Sequence, residues 1–441
     1  MASLDDAEEA EQDRRPLSET DAETYVASVC FKTGPPGKIG VEVERTVHRQ
    51  GMPAAPVSVE QVRAAVEPAG GRLPGGGLLT FEPGGQLEIS SACAADLPGV
   101  VAATRADLFD AGILLRRAGL EFGDLALDAL RFPVRTLDLP RYAAMERQFD
   151  LAGPAGRTMM CSTTALQVAL DAGTDGTGPG SAIGRWRHLH ALAPVLTAMF
   201  ANSPFVRGAP NGWASNRQAA WLGIDPTRTD APRTLGEDPR GDWARYALDA
   251  NVLCIRPRND DDAWSAPTGL TMRGWLRGLG PRPAEPRDLE YHLTTLFPPV
   301  RPRGFLELRV IDAQAGGDWE VPTAVVAALV EDPRAAAASA EACRAVPAED
   351  ATALVAAREG LARPGLARAA MLCAEAALEA LPRRGADAAT QSRVGAFIER
   401  LTSRGRSPAD AAAEHWRRTG RIEAFDTEHP FDSVRSGHAG I

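Results

Sequence analysis

The sequence predicts an α+β protein in which one sheet face is given over to charge. Three short runs alternate apolar and polar side chains, as half-buried strands do. They are Gly40-Val41-Glu42-Val43-Glu44, Glu82-Pro83-Gly84-Gly85-Gln86-Leu87-Glu88-Ile89 and Phe305-Leu306-Glu307-Leu308-Arg309-Val310. Between and after them, Leu, Val, Ile and Ala recur at helical spacing.

Taken in order, residues 1–20 are acidic and nearly free of large apolar side chains, so they read as a mobile tail ahead of a helix over 21–31. Residues 39–47 form the first strand, 60–68 a short helix bounded by Pro and Gly, and Gly75-Gly76-Gly77 a turn. Residues 78–91 read as a hairpin closed by Pro83-Gly84-Gly85. Helices are expected over 97–118 and 181–201, with a strand or strand-loop over 158–170. The stretch 202–262 is rich in Pro, Asn, Asp and Trp, and mixes loop with a helix over 243–250; long irregular segments of this kind often carry function. A further strand covers 304–312 and a helix 321–329. From Arg334 to about His415 the chain is Ala-rich, Arg-spaced and without strand signals, which predicts amphipathic helices. No linker precedes them. The expected organisation is a tail over 1–20 and a single catalytic domain over 21–441, with 330–441 as its helical C-terminal part.

The bulk properties narrow the function. A chain of 441 residues with 44% hydrophobic and 24% charged residues has the composition of an ordinary soluble globular protein. A net charge of -10 argues against a nucleic-acid-binding surface, which needs a basic patch. Six scattered cysteines without a CxxC pair suggest neither a zinc knuckle nor a disulfide framework, and a reducing cytoplasm is the simplest setting. The opening stretch is acidic where a signal peptide would be basic and then apolar, and no apolar run approaches the roughly 20 residues of a membrane span.

In a single strand, alternating glutamates are the usual mark of a solvated face. Three such segments together point elsewhere. Glu42 shares a face with Glu44, Gln86 with Glu88, and Glu307 with Arg309. Carboxylates gathered on one face repel one another and lose hydration, so they call for cations, and Mg²⁺ suits them because it commonly bridges carboxylates to nucleotide phosphates. Arg309 beside Glu307 could serve an anion next to the metal, or form a surface ion pair of little consequence. A second constellation is Arg217, Trp221, Asp225 and Arg228, where two arginines and an aromatic could clamp an amino-acid carboxylate or merely anchor a surface loop. His188 and His190 point in different directions on a predicted helix, and His48 and His292 are isolated, so structural roles suit all four. There is no P-loop, GxGxxG fingerprint or GxSxG elbow.

Read together, the Gly40 to Glu44 and Phe81 to Ser90 segments closely resemble the plant and bacterial type of glutamate-cysteine ligase. The likeness continues through Leu166-Gln167-Val168-Ala169-Leu170-Asp171, Ala201-Asn202-Ser203-Pro204-Phe205, Trp221 to Arg228, Tyr246-Ala247-Leu248-Asp249 and Phe305 to Arg309, spanning about residues 36–330. The Ala- and Arg-rich composition and Met159-Met160-Cys161-Ser162-Thr163 look most like the actinobacterial branch that serves ergothioneine synthesis.

The resemblance implies ATP-dependent joining of L-glutamate to L-cysteine through γ-glutamyl phosphate. It also implies a curved, mostly antiparallel sheet forming a funnel with helices outside, as in the glutamine synthetase catalytic domain. Carried over by position, Glu42, Glu44, Glu82, Glu88 and Glu307 are the implied Mg²⁺ ligands, and Arg309 lies beside the transferring phosphate. Arg228 is the implied holder of the glutamate α-carboxylate, with Arg187 and Gln167 as further carry-overs. Ala169 stands where the plant pattern has Asn. A carboxylate-amine ligase with another acceptor, a non-catalytic nucleotide- or amino-acid-binding module and a metal-dependent hydrolase are the competing readings. The seven histidines are not grouped as a hydrolase of that kind would require.

Overall fold

The computed structural model describes residues 16–33, 37–257 and 264–422. Residues 1–15 of the expected tail lie outside the described residues. The first helix among the described residues is Glu19–Cys30, whose N-terminus is capped by the Ser18 hydroxyl accepting from the Asp21 N–H at 3.1 Å.

Ten strands lie among the described residues: β1 (Ile39–Arg45), β2 (Val47–Arg49), β3 (Leu78–Phe81), β4 (Leu87–Ser90), β5 (Leu120–Phe122), β6 (Ala165–Asp171), β7 (Phe205–Val206), β8 (Ala209–Pro210), β9 (Val300–Pro302) and β10 (Phe305–Asp312). Six form one sheet in the order β3-β4-β1-β6-β10-β9, with every neighbour antiparallel. β2 pairs with β5, and β7 with β8, as separate two-stranded ribbons.

Side-chain alternation splits this sheet into two unlike faces. Val41, Val43, Ile89, Leu166, Val168, Leu170, Leu306 and Leu308 are all buried. Helices Leu97–Arg117, Ala182–Met199 and Glu320–Glu331 contact these strands. Each buried aliphatic side chain contributes about 1.5–3 kcal/mol. A one-residue slip would turn the whole set outward, so the register is strongly specified. The helix Glu320–Glu331 is buried along most of its length because Pro333–Arg344, Pro364–Ala380 and Ala388–Arg400 pack on it in turn. Small side chains such as Ala370, Ala374 and Ala377 allow close helix approach, and a single hydrophobic cluster extends from Ala22 to Leu401.

Two elements differ from the sequence expectation. The strand expected over 39–47 ends at Arg45, and β2 departs to pair with β5. Arg45 is buried at that point, donating to the Gln314 and Gly316 carbonyls, while the Thr46 carbonyl accepts from the Gly123 N–H at 2.8 Å. The strand or strand-loop expected over 158–170 is a helix, Ala155–Ser162, followed by β6. Its C-terminus is held by the Thr163 hydroxyl on the Met159 carbonyl at 2.6 Å, a local bond that apolar content does not reveal. The irregular stretch also carries more helix than expected, at Asn216–Leu222, Pro226–Thr229 and Pro239–Asp249. No helix among the described residues is long and apolar enough to cross a membrane.

The hairpin joining β3 to β4 is pinned from two sides. The Pro83 carbonyl accepts from the Thr136 and Leu137 N–H groups, and a Cβ on Gly84 would lie 2.1 Å from the Cys161 carbonyl oxygen. Gly84→Ala is therefore expected to destabilise the protein by about 1–3 kcal/mol through overpacking against backbone. Urea unfolding checks this, and an unchanged midpoint would refute the close approach.

Candidate active site

The polar face of the sheet collects the residues that alternation had grouped strand by strand. Glu44 lies directly opposite Glu88, Glu42 opposite both Ser90 and Gln167, and Glu307 opposite both Ala169 and Arg301. Directly opposed side chains in antiparallel strands have Cβ atoms about 4.5–5.5 Å apart. Glu82 joins them from the hairpin, where its N–H donates to the Gln86 carbonyl at 2.9 Å. The Gln86 side chain ties this turn to the helix Ala155–Ser162: its Nε2 donates to the Met160 and Thr163 carbonyls at 3.2 and 3.0 Å. One cavity results, lined by Glu42, Glu44, Glu82, Glu88, Gln167, Arg301, Arg303 and Arg309 on one side. Arg141, Tyr142, Met145, Met159, Met160, Trp221 and Phe297 complete it.

A line of polar contacts crosses four strands, β9, β10, β6 and β1, beneath the cavity. Arg301 grips Glu307 with Nε and Nη2, at 2.8 and 3.2 Å. Arg309 Nη1 donates to the same carboxylate at 2.7 Å and also to Gln167 Oε1. Gln167 Nε2 donates to Glu44 at 2.9 Å, and the other Glu44 oxygen accepts from the Ala165 N–H at 2.7 Å. Arg217, 1% exposed, supports the line from below by donating to the Arg309 carbonyl at 2.8 Å. The Trp221 ring stands 5.6 Å from the Arg309 guanidinium and packs edge-on against Phe297.

The charges on this face are unevenly compensated. Burial pushes Glu42 up to about 8, reinforced by Glu307 and Glu88. Burial likewise raises Glu44 to about 8, with Glu82 and Glu88 adding repulsion, and Glu82 to about 7, with Glu88 the main neighbour. Glu307 is the opposite case: burial opposes its charge, but Arg301 and Arg309 outweigh it and hold the carboxyl at about 2.

These carboxylates are hard oxygen donors of the kind Mg²⁺ takes. Among the described residues no three His, Cys, Asp or Glu side chains already converge as a metal-binding group. Glu307 differs from the other four in that both its oxygens already accept from guanidinium groups.

Three expected substrate residues are not brought to this cavity: Arg217 lies beneath it, and Arg228 and Arg187 bind elsewhere. Arg228 is fully buried and commits all three guanidinium nitrogens, to Asp225, to the Thr295 carbonyl and to the Asn251 carbonyl. Its own carbonyl accepts from the Phe297 N–H at 2.8 Å, so it places a cavity-lining ring without facing the cavity. Arg187 holds the Leu235 and Gly236 carbonyls from an exposed helix side. Conversely, Arg141, Tyr142, Arg301 and Arg303 line the site without having been singled out. The signal for Arg301 was present: Arg301-Pro302-Arg303-Gly304 precedes Glu307 as the first arm of a tight hairpin, which sets Arg301 opposite Glu307. His188, His190 and His292 are buried, hydrogen-bonded to Ser339, Trp186 and Ala247 respectively, and pushed down to about 4 by burial, as structural histidines are.

The family model described as Glutamate-cysteine ligase family 2 (GCS2) matches residues 38–428. The glutamate–cysteine ligase EgtA of Mycolicibacterium smegmatis is 37% identical over 408 residues, covering 90% of this chain and 92% of that protein. Its Mycobacterium tuberculosis counterpart is 38% identical over 371 residues, covering 82% and 83%. The chloroplastic glutamate–cysteine ligase of Medicago truncatula is 30% identical over 343 residues, covering 72% and 65%. Among solved structures, a glutamate–cysteine ligase of Francisella tularensis in complex with AMP aligns with a TM-score of 0.52 over 90% of this chain and 88% of that one. At 10% identity that likeness concerns the fold, and it agrees with the α+β architecture expected from the sequence. Because the family match runs through every strand that carries the acidic face, and the mycobacterial relatives are spanned almost end to end, the chain belongs to glutamate–cysteine ligase family 2.

Proposed function

We propose that this protein joins the γ-carboxyl of L-glutamate to the amine of L-cysteine, consuming ATP and giving γ-glutamylcysteine, ADP and phosphate. The observation that carries this reading is the meeting of Glu42, Glu44, Glu82 and Glu88 with Arg309 in one cavity of a chain in this family. We place the product in ergothioneine synthesis on the strength of the sequence resemblance, and assign the activity to residues 21–441 as one catalytic domain. The continuous core from Ala22 to Leu401 supports that assignment; of the expected helical part over 330–441, residues 423–441 lie outside the described residues.

The difficulty in this reaction is charge. The glutamate γ-carboxylate must attack the γ-phosphorus of ATP, and both are anionic. Glu42, Glu44, Glu82 and Glu88 are the groups that would hold Mg²⁺, with Glu307 joining them where a guanidinium contact gives way. Bound there, Mg²⁺ would screen the phosphates and polarise the phosphoryl oxygens. Arg309, aligned by Glu307 and Gln167, offers a guanidinium to the charge developing during phosphoryl transfer. Arg301 keeps Glu307 ionised, so this alignment persists across the working pH range. Trp221 and Phe297 give the cavity an apolar side next to Arg309, where the cysteine amine would displace phosphate.

Purified protein supplied with glutamate, cysteine, ATP and Mg²⁺ is expected to release ADP only when both amino acids are present. Glu88→Ala and Arg309→Ala should each lower this release by at least about 100-fold while leaving the far-ultraviolet circular dichroism unchanged. Near-normal turnover in either variant would sink the assignment.

The raised carboxyls also predict a pH dependence of stability. Groups whose folded pKa exceeds the ordinary carboxylate value of about 4.5 stabilise fully below that value, and this contribution is lost as pH rises through the folded pKa. Metal-free protein should therefore melt at progressively lower temperature from about pH 5 to pH 9. Mg²⁺ should raise the melting temperature more at pH 8 than at pH 6, since its ligands must be deprotonated. Melting curves indifferent to both pH and Mg²⁺ would refute it.

A further inference from the structure

The β9–β10 hairpin supplies three of the guanidinium groups that line the cavity, Arg301, Arg303 and Arg309, and all three lie within ion-pair reach of Glu307. The fourth, Arg141, comes from the facing wall, on the helix Pro140–Asp150. Among the described residues no carboxylate forms an ion pair with it, and its Nε is buried without a hydrogen-bond partner. The guanidinium carbon instead lies 4.9 Å from the centre of the Tyr142 ring and 5.8 Å from that of Tyr291. A partly desolvated cation with an unused donor, facing a cavity that must receive anions, is a ready carboxylate receptor.

The surroundings indicate which carboxylate. Tyr142, Met145, Met159 and Met160 make this wall apolar and rich in thioether sulfur. Such a wall suits a short, uncharged, polarisable side chain and not the second carboxylate of glutamate, which has to reach the acidic end and Arg309. We propose that Arg141 binds the α-carboxylate of the amine acceptor, so that the site selects an α-amino acid with a short polarisable side chain over a simple amine. This rests on the ligase reading above. It gives the second substrate a cation of its own, on the opposite wall from the groups that serve phosphoryl transfer.

The test compares wild type, Arg141→Gln and Arg141→Lys, each supplied with glutamate, ATP and Mg²⁺ and one of three acceptors. L-Cysteine carries the carboxylate, cysteamine lacks it, and hydroxylamine captures the activated γ-carboxyl as a hydroxamate without needing an acceptor pocket. In Arg141→Gln, kcat/KM for cysteine should fall about 100-fold, chiefly through KM, with partial recovery in Arg141→Lys. The lower rate with cysteamine should be the same in wild type and Arg141→Gln. Hydroxamate formation should change less than about threefold, which also shows that the variant is folded. Equal losses with cysteine and cysteamine, a raised KM for glutamate or ATP with falling hydroxamate, or unaltered cysteine kinetics would each overturn the proposal. Wild-type protein that forms no hydroxamate and no ADP would overturn the ligase reading and this proposal with it.

Discussion

Everything at the site depends on holding several half-buried carboxylates, and the fully buried Glu307, together on one sheet face. Two like charges 4 Å apart repel by about 4 kcal/mol at an effective dielectric constant of 20, before any loss of hydration. The chain answers this differently at its two ends. Glu307 is neutralised outright by Arg301 and Arg309, and becomes the fixed point from which Arg309 and Gln167 are aligned. Glu42, Glu44 and Glu82 receive no such compensation and are pushed towards holding protons, which leaves them ready to exchange those protons for a cation.

That arrangement needs a rigid floor, and the opposite face of the same strands supplies it. The aliphatic residues that alternate with the glutamates are closed over by Ala182–Met199 and Glu320–Glu331, and the Ala-rich C-terminal helices bury the second of these. The C-terminal part thus lies far from the chemistry in sequence yet holds the sheet in register. Along a strand, each residue belongs either to the core or to the site, so a one-residue shift would ruin both at once.

The opposite wall is assembled from a different kind of contact. Helices Pro140–Asp150 and Ala155–Ser162 pack together and are fastened to the β3–β4 hairpin through Gln86, Gly84 and the loop at Thr136. The hairpin carries Glu82 and the helices carry Arg141 and the methionines, so one turn sets the distance between the acidic face and the apolar wall. Arg228, buried behind Phe297, fixes a third side.

Local chemistry written in the sequence determined the strands, the hairpin and the polar face, because side-chain alternation and Gly-Pro turns act over a few residues. Glu42, Glu44, Glu82, Glu88, Glu307, Arg309, Gln167 and Trp221 were all legible as candidates for that reason, and Arg217 was found supporting them from beneath the cavity. What the sequence could not determine was which side of each loop faces inward. Arg228 and Arg187 looked like substrate residues by type and position, yet backbone carbonyls of distant segments claim their donors. Arg141 and Arg301 looked ordinary, and became part of the site only when helix and strand packing set one across from the carboxylates and the other opposite Glu307. An arginine's role rests on which acceptors lie within hydrogen-bond reach, and for these four side chains tertiary packing made that choice.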